Sequence, residues 1–385
     1  MKKTVLIDGV RTPIGRFKGC FQTKTATELG TAAVSELVRR IPESAKADGV
    51  ILGQVIQAGQ GQNPARQVAV NAGIDINTPV LTLNSVCIAS LAAVSDAARR
   101  IERGEGDLFV VGGFESMTNA PHVSNLRREV KMGTVSFYDT LNDGLWCALS
   151  DTSMGGLSEK TNRKLSINRA EQDEYALSSQ LRAAKAQSAG VFRDEIAEVS
   201  VSGQLITDDE CIRPQTTIGK LENLKPVFEE GGTITPGNAS PMSDGASAGL
   251  LSNLDTCDKL GKSPLATIVD WAYVAGPDPS LHLQPANAIR SLLDRTNLRL
   301  SDIDLFEINE AFASVVLASQ RELGLPSDVV NVNGGAIALG HPLGASGFRL
   351  VLTLAHELKR RGGGRGIASM CGGGGQGAAV LIEVD

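Results

Sequence analysis

Short apolar runs of strand length alternate along the chain with stretches whose apolar positions have helical spacing. Residues 5–7 and 108–111 are continuous runs of the first kind. Thr25 and Glu28 form a capping-box pattern at the start of a helical stretch that carries Leu29 on its apolar face. This alternation predicts an α/β fold with mainly parallel strands.

Two segments that are far apart in the chain resemble each other. In the first, a turn at residues 84–90 contains Cys87 and leads into a helical stretch and then a strand that ends in a glycine pair. In the second, a turn at residues 340–347 contains His341 and leads through a helix and a strand to Cys371 and further glycines. The repeat predicts two similar halves that face each other, with the chemistry at their junction.

The stretch from 118 to 240 differs from the rest because it is polar and rich in Arg, Glu, Asp and Ser. Its strongest helical signal is an N-cap at Asn168 with Glu171 three residues later, and this helix is predicted to run to about Gln187. We therefore expect an inserted region on the surface rather than a further strand and helix repeat.

The composition of the 385 residues is that of a globular protein, with 42% hydrophobic and 21% charged residues. Only 4% are aromatic and the net charge is -6, which argues against nucleic-acid binding. No apolar stretch approaches the length of about 18 residues that a membrane span needs, so no membrane association is expected. The six cysteines include no CxxC pair, which favours free thiols and a cytoplasmic location.

Cys87 is the first candidate catalytic residue, because it lies where a turn meets the predicted start of a helix. Backbone amides at that point would lower the pKa of the thiol and produce a thiolate at neutral pH. The alternative is a small buried hydrophobic residue under the helix. His341 lies on a glycine-rich loop and could activate a thiol. The alternative for this residue is a turn histidine that hydrogen-bonds the backbone.

Cys371 and Asn309 are further candidates. Cys371 precedes the glycines at 372–375, whose free amides could stabilise an oxyanion while the thiol carries a proton. Asn309 follows the strand-like run 305–308, at a strand end where α/β proteins bind ligands, and the alternative is a helix N-cap. The spacing of histidines and cysteines predicts no metal site, and the sequence has no Gly-x-Ser-x-Gly motif of a serine hydrolase.

Several short blocks resemble the thiolases in their residues, order and spacing, and the resemblance extends over nearly the whole chain. The blocks are 10–15, 84–87, 113–117, 237–240, 309–312, 340–342 and 371–374. Resemblance to this family implies the thiolase fold, an α/β architecture of two similar halves. Each half would be a five-stranded mixed sheet with helices, stacked as α-β-α-β-α layers, with a loop domain inserted in the first half.

The resemblance also implies a division of the chain and a reaction. The N-terminal half would comprise 1–117, completed by 241–266, the CoA-binding loop domain 118–240, and the C-terminal half 267–385. The reaction would be acyl transfer to and from CoA through an acyl-cysteine, joining two acetyl-CoA molecules or cleaving the product in reverse. Acyl-CoA and CoA are the expected partners, and no cofactor is expected beyond them.

Residue roles follow from the same resemblance. Cys87 would be the acylated nucleophile, His341 the imidazole that activates it, and Cys371 the acid or base that removes a proton from acetyl-CoA. Asn309 would hold a water that joins His341 in one oxyanion hole, and the amides of Cys87 and Gly373 would form the other.

Six further residues match family positions that contact CoA. Ser240 would contact the pantetheine, and Arg213 would lie near the adenine and phosphates. Walls of the CoA tunnel are expected at Leu145, Met154, Ala311 and Phe312.

The chain resembles one branch of the family but departs from the family at three places. The pattern in 126–133 and 139–145 resembles the loop domain of short-chain biosynthetic members, which are usually tetramers, so a homodimer or homotetramer is expected. Ser153 stands where the family usually has His, and Pro236 where it usually has Ala. At 280–285 the chain has Ser-Leu-His-Leu-Gln-Pro in place of a Met-Gly-x-Gly-Pro element near the acyl pocket, one residue shorter.

The sequence leaves three alternatives to a short-chain enzyme. A degradative 3-ketoacyl-CoA thiolase for longer chains would use the same catalytic residues, and the altered 280–285 stretch would suit it. A decarboxylating condensing enzyme of the ketosynthase type usually has a second His where this chain has Cys371. A non-enzymatic CoA-binding homologue is disfavoured because every expected catalytic position is filled.

Overall fold

A computed structural model describes residues 2–127 and 132–385, in which short strands and helices alternate along the chain. Strands β1 to β16 span, in order, Thr4–Arg11, Gly15–Arg16, Gly49–Gly53, Val80–Leu83, Leu108–Ser116, His122–Val123, Tyr138–Asp139, Trp146–Cys147, Thr152–Ser153, Val199–Val201, Gln204–Ile206, Ser243–Asn253, Ala266–Ala275, Leu305–Ile308, Gly364–Gly372 and Gln376–Val384. Helices α1 to α12 span, in order, Ala26–Arg40, Pro64–Asn71, Ala89–Arg103, Thr140–Gly144, Met154–Lys164, Arg169–Ser188, Ile218–Glu222, Leu254–Lys259, Gln284–Thr296, Ala313–Leu323, Ala336–Leu339 and Ser346–Arg360.

The main sheet is mixed, with the strand order β14-β15-β16-β13-β1-β12-β5-β3-β4. Among the strand pairs of this sheet that the structure describes, β3–β4, β3–β5 and β14–β15 are parallel, and the central pairs from β15 to β5 are antiparallel. The prediction of mainly parallel strands was therefore wrong. One reason is local, because β15 and β16 are joined by a turn of only three residues, and such a connection forces an antiparallel hairpin.

The two predicted halves lie on either side of the β1–β13 pair, which joins them into one sheet through the register Thr4↔Ile268. The N-terminal side has the five strands β1, β3, β4, β5 and β12. The C-terminal side has β13 to β16, and a parallel bridge between Phe306 and Val330 continues it beyond β14. The predicted α/β fold of two similar halves with mixed sheets is confirmed.

Both predicted units of turn, helix and strand are present, and their helices, α3 and α12, pack against each other and against strands of both halves. Their approach is close at Gly347, where an added Cβ would lie 2.6 Å from the backbone nitrogen of Leu91. The Phe348 amide donates to the Ser90 hydroxyl at 3.0 Å across the same contact. Helices α1 and α2 cover the N-terminal strands, and α9 covers the C-terminal ones, so the elements form alternating layers.

The described part of 118–240 contains short strand pairs and helices outside the main sheet. Its predicted helix is confirmed as α6, which has a capping box formed by Asn168 and Glu171. The family pattern assigned to 126–133 falls partly on positions 128–131, which lie outside the described residues. Within the described ranges, no helix has the length and apolar character needed to cross a membrane.

Candidate active site

One cavity of about 550 Å³ brings most of the predicted site residues together. Cys87, His341, Cys371 and Gly373 line its inner part, at the junction of the two halves. The six predicted CoA contacts, Leu145, Met154, Arg213, Ser240, Ala311 and Phe312, all line the same cavity. The loops that follow β4, β14 and β15 therefore meet where the internal repeat predicts the chemistry.

Cys87 lies in a strained turn between β4 and α3. The preceding Val86 has φ 51°, a left-handed conformation that a β-branched residue rarely adopts. Asn84 supports the turn, since its Oδ1 accepts from the Val86 amide at 2.9 Å and its Nδ2 donates to the Val55 carbonyl at 3.2 Å. Helix α3 begins two residues after Cys87, as predicted.

The resting Cys87 is a thiol, which corrects the prediction of a thiolate at neutral pH. Burial raises its pKa to about 12, although the backbone amides of Gly373 and Cys87 hydrogen-bond the sulfur and lower the pKa by a smaller amount. Desolvation disfavours the charged form more than the amides favour it. A base must therefore remove the thiol proton before Cys87 can act as a nucleophile.

This thiol should show a steep pH dependence of alkylation. Because the pKa is raised, the thiolate fraction grows about tenfold per pH unit between pH 6 and 9. Iodoacetamide labelling of Cys87 in the free enzyme, followed by peptide mass spectrometry, is expected to accelerate accordingly. A labelling rate that is constant across this range would indicate a thiolate and contradict the assignment.

His341 is held as a neutral base with a defined tautomer. Its Nδ1 lies 2.7 Å from the Ser346 hydroxyl, which donates its own proton to the Pro342 carbonyl at 2.9 Å. The hydroxyl must therefore accept from Nδ1–H, so Nε2 is the unprotonated nitrogen of the ring. Burial, with a smaller effect of Arg349, lowers the pKa of His341 to about 3. The side chain thus hydrogen-bonds other side chains, unlike the alternative of a turn histidine tied to the backbone.

The backbone around His341 requires a glycine. Gly340 has φ 111°, and an added Cβ would lie 2.4 Å from the Ser243 hydroxyl oxygen. Glycine is therefore needed both for the conformation and for the close contact. The conformation of this turn fixes the position of the His341 side chain in the wall of the cavity.

Asn309 lies directly behind the imidazole. Its Nδ2 donates to His341 Nε2 at 3.4 Å, and its side chain is fully buried. Helix α10 begins only at Ala313, with Phe312 at the N-cap position, so the alternative of a helix cap by Asn309 was wrong. The amide therefore contacts the unprotonated ring nitrogen of His341, whereas Asn309 itself is not one of the residues that line the cavity.

Cys371 is the penultimate residue of β15 and lies near Cys87. Its side chain is 1% exposed, and burial together with the neighbouring Cys87 raises its pKa above the usual value. Gly373 follows in the turn before β16, with its amide directed at the Cys87 sulfur. Cys371 is consequently a thiol at rest, which can donate a proton before it accepts one.

The outer part of the cavity has mainly apolar walls, and the positively charged side chain of Arg213 also lines it. Phe312 and Phe228 meet edge to face with ring centroids 6.1 Å apart. The Ser240 hydroxyl donates to the Ala311 carbonyl at 3.1 Å, and this contact joins the 237–240 block to the 309–312 block. Arg213 is exposed at the cavity, with its guanidinium available to a ligand anion.

Several residues of the site were not predicted from the sequence. Ser346 lies within the glycine-rich block around His341, and its i+5 spacing from the histidine was the available signal. Met117 and Leu343 line the inner cavity together with Leu281, which belongs to the altered 280–285 stretch. Ser153, one of the three departures, lines the cavity and caps α5 by accepting from the Gly156 amide at 3.1 Å.

Replacing Ser346 by alanine should slow the reaction without unfolding the protein. The change leaves Nδ1–H of His341 buried without an acceptor and frees the ring to adopt the other tautomer, at a cost of about 1–3 kcal/mol. We expect kcat to fall about 10- to 100-fold while KM for CoA stays within about threefold. Steady-state kinetics with a thermal melt as the stability control would test this, and an unchanged kcat would contradict the role of Ser346.

A half-buried cysteine beside a neutral imidazole and directed backbone amides, at the end of an apolar tunnel, is typical of enzymes that transfer acyl groups through a cysteine. Comparisons with known proteins identify the family within this class. Residues 4–255 match the family description "Thiolase, N-terminal domain", and residues 262–384 match "Thiolase, C-terminal domain". The chain belongs to the thiolase family.

Similar proteins include a curated relative and two solved structures. A probable acetyl-CoA acetyltransferase of Mycobacterium tuberculosis is 46% identical over 392 residues, and the match covers 100% of both chains. The crystal structure of the Bacillus anthracis acetyl-CoA acetyltransferase has TM-score 0.96 at 37% identity, covering 100% of this chain and 99% of that one. Human mitochondrial 3-ketoacyl-CoA thiolase in complex with CoA has TM-score 0.96 at 39% identity, covering 100% and 98%.

Proposed function

We propose that this protein is an acetyl-CoA C-acetyltransferase, which condenses two acetyl-CoA molecules to acetoacetyl-CoA or cleaves this product with CoA. The observation that carries the proposal is the single cavity in which Cys87, His341 and Cys371 meet the amide of Gly373. The activity in the names of its relatives agrees with this assignment.

In the first half-reaction, His341 Nε2 takes the proton of the Cys87 thiol, and the thiolate attacks the carbonyl carbon of acetyl-CoA. The new carbon is bonded to the Cys87 sulfur, so the amides of Cys87 and Gly373 at that sulfur are placed to stabilise its oxyanion. The carbon–sulfur bond to CoA breaks, and Cys371 donates its proton to the leaving CoA thiolate. An acetyl-Cys87 thioester, a protonated His341 and a Cys371 thiolate result.

In the second half-reaction, the Cys371 thiolate removes a methyl proton from a second acetyl-CoA. The forming enolate oxygen needs a donor, because the α-proton of a thioester is far too weakly acidic for a thiolate alone, and one such donor contributes about 3 kcal/mol. Protonated His341 and a water held by Asn309 would donate hydrogen bonds to this oxygen. The carbanion attacks the acetyl-Cys87 carbonyl, the carbon–sulfur bond to Cys87 breaks, and His341 returns its proton to the Cys87 sulfur.

The remaining predicted residues would bind the CoA part of both substrates. The apolar walls at Leu145, Met154 and Phe312 suit the pantetheine arm, and the exposed Arg213 suits the phosphates near the adenine. We propose that 118–240 forms the CoA-binding loop domain between an N-terminal half of 1–117 with 241–266 and a C-terminal half of 267–385. We further propose a cytoplasmic homodimer or homotetramer, an assembly that light scattering would measure.

A degradative 3-ketoacyl-CoA thiolase of fatty acid metabolism is the second candidate. It is favoured by the equal structural similarity to the human mitochondrial 3-ketoacyl-CoA thiolase. Thiolysis rates with CoA for acetoacetyl-CoA and for 3-ketoacyl-CoAs of six to ten carbons separate the two, since each added methylene changes binding by roughly 0.8 kcal/mol. Preference for acetoacetyl-CoA supports our proposal, and preference for the longer chains supports the second candidate.

A further inference from the structure

His282 is a fully buried histidine in the segment between β13 and α9, where the chain departs from its family. Its Nε2 lies 2.7 Å from Asn162 Oδ1 in α5 and 3.1 Å from the Ser314 hydroxyl in α10. Its backbone carbonyl accepts from the Ser319 hydroxyl, also in α10, at 3.1 Å. One residue therefore joins three parts of the chain that are distant in sequence.

The hydrogen bonds around Asn162 assign the tautomer of this histidine. Asn162 Nδ2 donates at 3.0 Å to the Thr233 hydroxyl, which donates its own proton to Glu159 at 2.9 Å. Asn162 Oδ1 therefore faces the ring, and Nε2 of His282 carries the proton. Within the described part of the chain, its buried Nδ1 has no hydrogen-bond partner. Burial lowers the pKa to about 4, so the ring is neutral at physiological pH.

Leu281, the residue before this histidine, belongs to the active-site cavity. It is 4% exposed, lines the cavity and packs in one apolar cluster with Phe312, Val315 and Cys371. Its side chain thus occupies space beside the second catalytic thiol. Movement of Leu281 would require the adjacent His282 to give up buried hydrogen bonds to both α5 and α10.

We propose that His282 is a positioning residue that restricts the enzyme to short acyl chains, because it fixes Leu281 as a wall of the cavity beside Cys371. This inference rests on the proposed acyl transfer and adds to it the selection of chain length. A buried imidazole with one unpartnered nitrogen carries a desolvation cost that an aliphatic side chain of similar volume would not. Its directional hydrogen bonds, which an aliphatic side chain lacks, explain why it stands here.

The test measures kcat/KM in thiolysis by CoA for acetoacetyl-CoA and for 3-ketooctanoyl-CoA. The wild type should prefer acetoacetyl-CoA. His282→Leu removes the hydrogen bonds, and we expect the preference to fall about tenfold or more, chiefly through a lower KM for the longer substrate. Asn162→Ala keeps the ring but removes its main acceptor, and Leu281→Ala removes the wall. Both should lower the preference in the same direction.

Two further variants separate positioning from a general effect on stability. His282→Gln can place an amide N–H near the position of Nε2, so it should restore the preference. His356→Leu is the matched control, because His356 is also buried, lies in α12 and does not line the active-site cavity. Its preference should equal that of the wild type.

An unchanged preference in folded His282→Leu and Asn162→Ala would overturn the inference. If His282→Leu does not fold, Asn162→Ala decides the question alone. A wild type that prefers 3-ketooctanoyl-CoA would also overturn it, while leaving acyl transfer intact. A wild type that cleaves neither substrate would instead refute the proposed function, so the two failures are distinguishable.

Discussion

Replacement of Cys87 by serine is expected to abolish formation of the acyl-enzyme. The hydroxyl is a weaker acid and a weaker nucleophile than the thiol, and the same burial that raises the pKa of Cys87 would oppose formation of an alkoxide. Loss of a covalent nucleophile lowers kcat by about 10⁴-fold or more in comparable enzymes. Intact-protein mass spectrometry after mixing with acetyl-CoA should show no added acetyl group.

A control for this variant is available in Cys257→Ser. Cys257 is fully buried outside the active-site cavity, and its sulfur donates to the Lys262 carbonyl at 3.3 Å, a contact that a serine hydroxyl can also make. This variant should be acetylated like the wild type. Normal acetylation of Cys87→Ser would show that another residue is the nucleophile and would remove the basis of the proposed mechanism.

The parts of the fold that depend on local pattern were predictable. The capping boxes at Thr25 and Asn168 begin helices where the sequence indicates them, because the reciprocal hydrogen bonds involve residues only three positions apart. The direction of strand pairing was not predictable in this way. The neighbours of β1 are β12 and β13, more than two hundred residues away, and nothing in the local pattern of residues 4–11 specifies them.

The candidate site, like the fold, was predictable from the sequence only in part. Cys87, His341 and Cys371 stand out in the sequence because each lies at an unusual turn, and the structure places all three at one cavity. Their roles stay predictions until they are tested. The pKa of Cys87 depends on how completely the assembled halves exclude water, so the pattern around Cys87 gave the wrong protonation state. The contacts of His282 likewise come from α5 and α10, which only the fold brings together.

Replacement of Cys371 by alanine should separate the two half-reactions. Acylation of Cys87 depends mainly on His341 and the amides at the Cys87 sulfur. Without Cys371 the departing CoA thiolate, a good leaving group, can take its proton from water, so the variant should still accept an acetyl group. Condensation requires removal of a methyl proton from the second acetyl-CoA, and alanine offers no base in the buried position of Cys371. We expect condensation to fall by about 10²- to 10⁴-fold, the usual contribution of a general base.

The measurement pairs the acetylated mass of the variant with the rate of acetoacetyl-CoA formation. Exchange of methyl protons of acetyl-CoA for deuterium in heavy water gives an independent readout, because it reports proton removal without carbon–carbon bond formation. Exchange should be lost together with condensation. Full condensation by Cys371→Ala would require a different base. Loss of acetylation would show that proton donation by Cys371 to the departing CoA is indispensable, and that the two half-reactions cannot be separated at this residue.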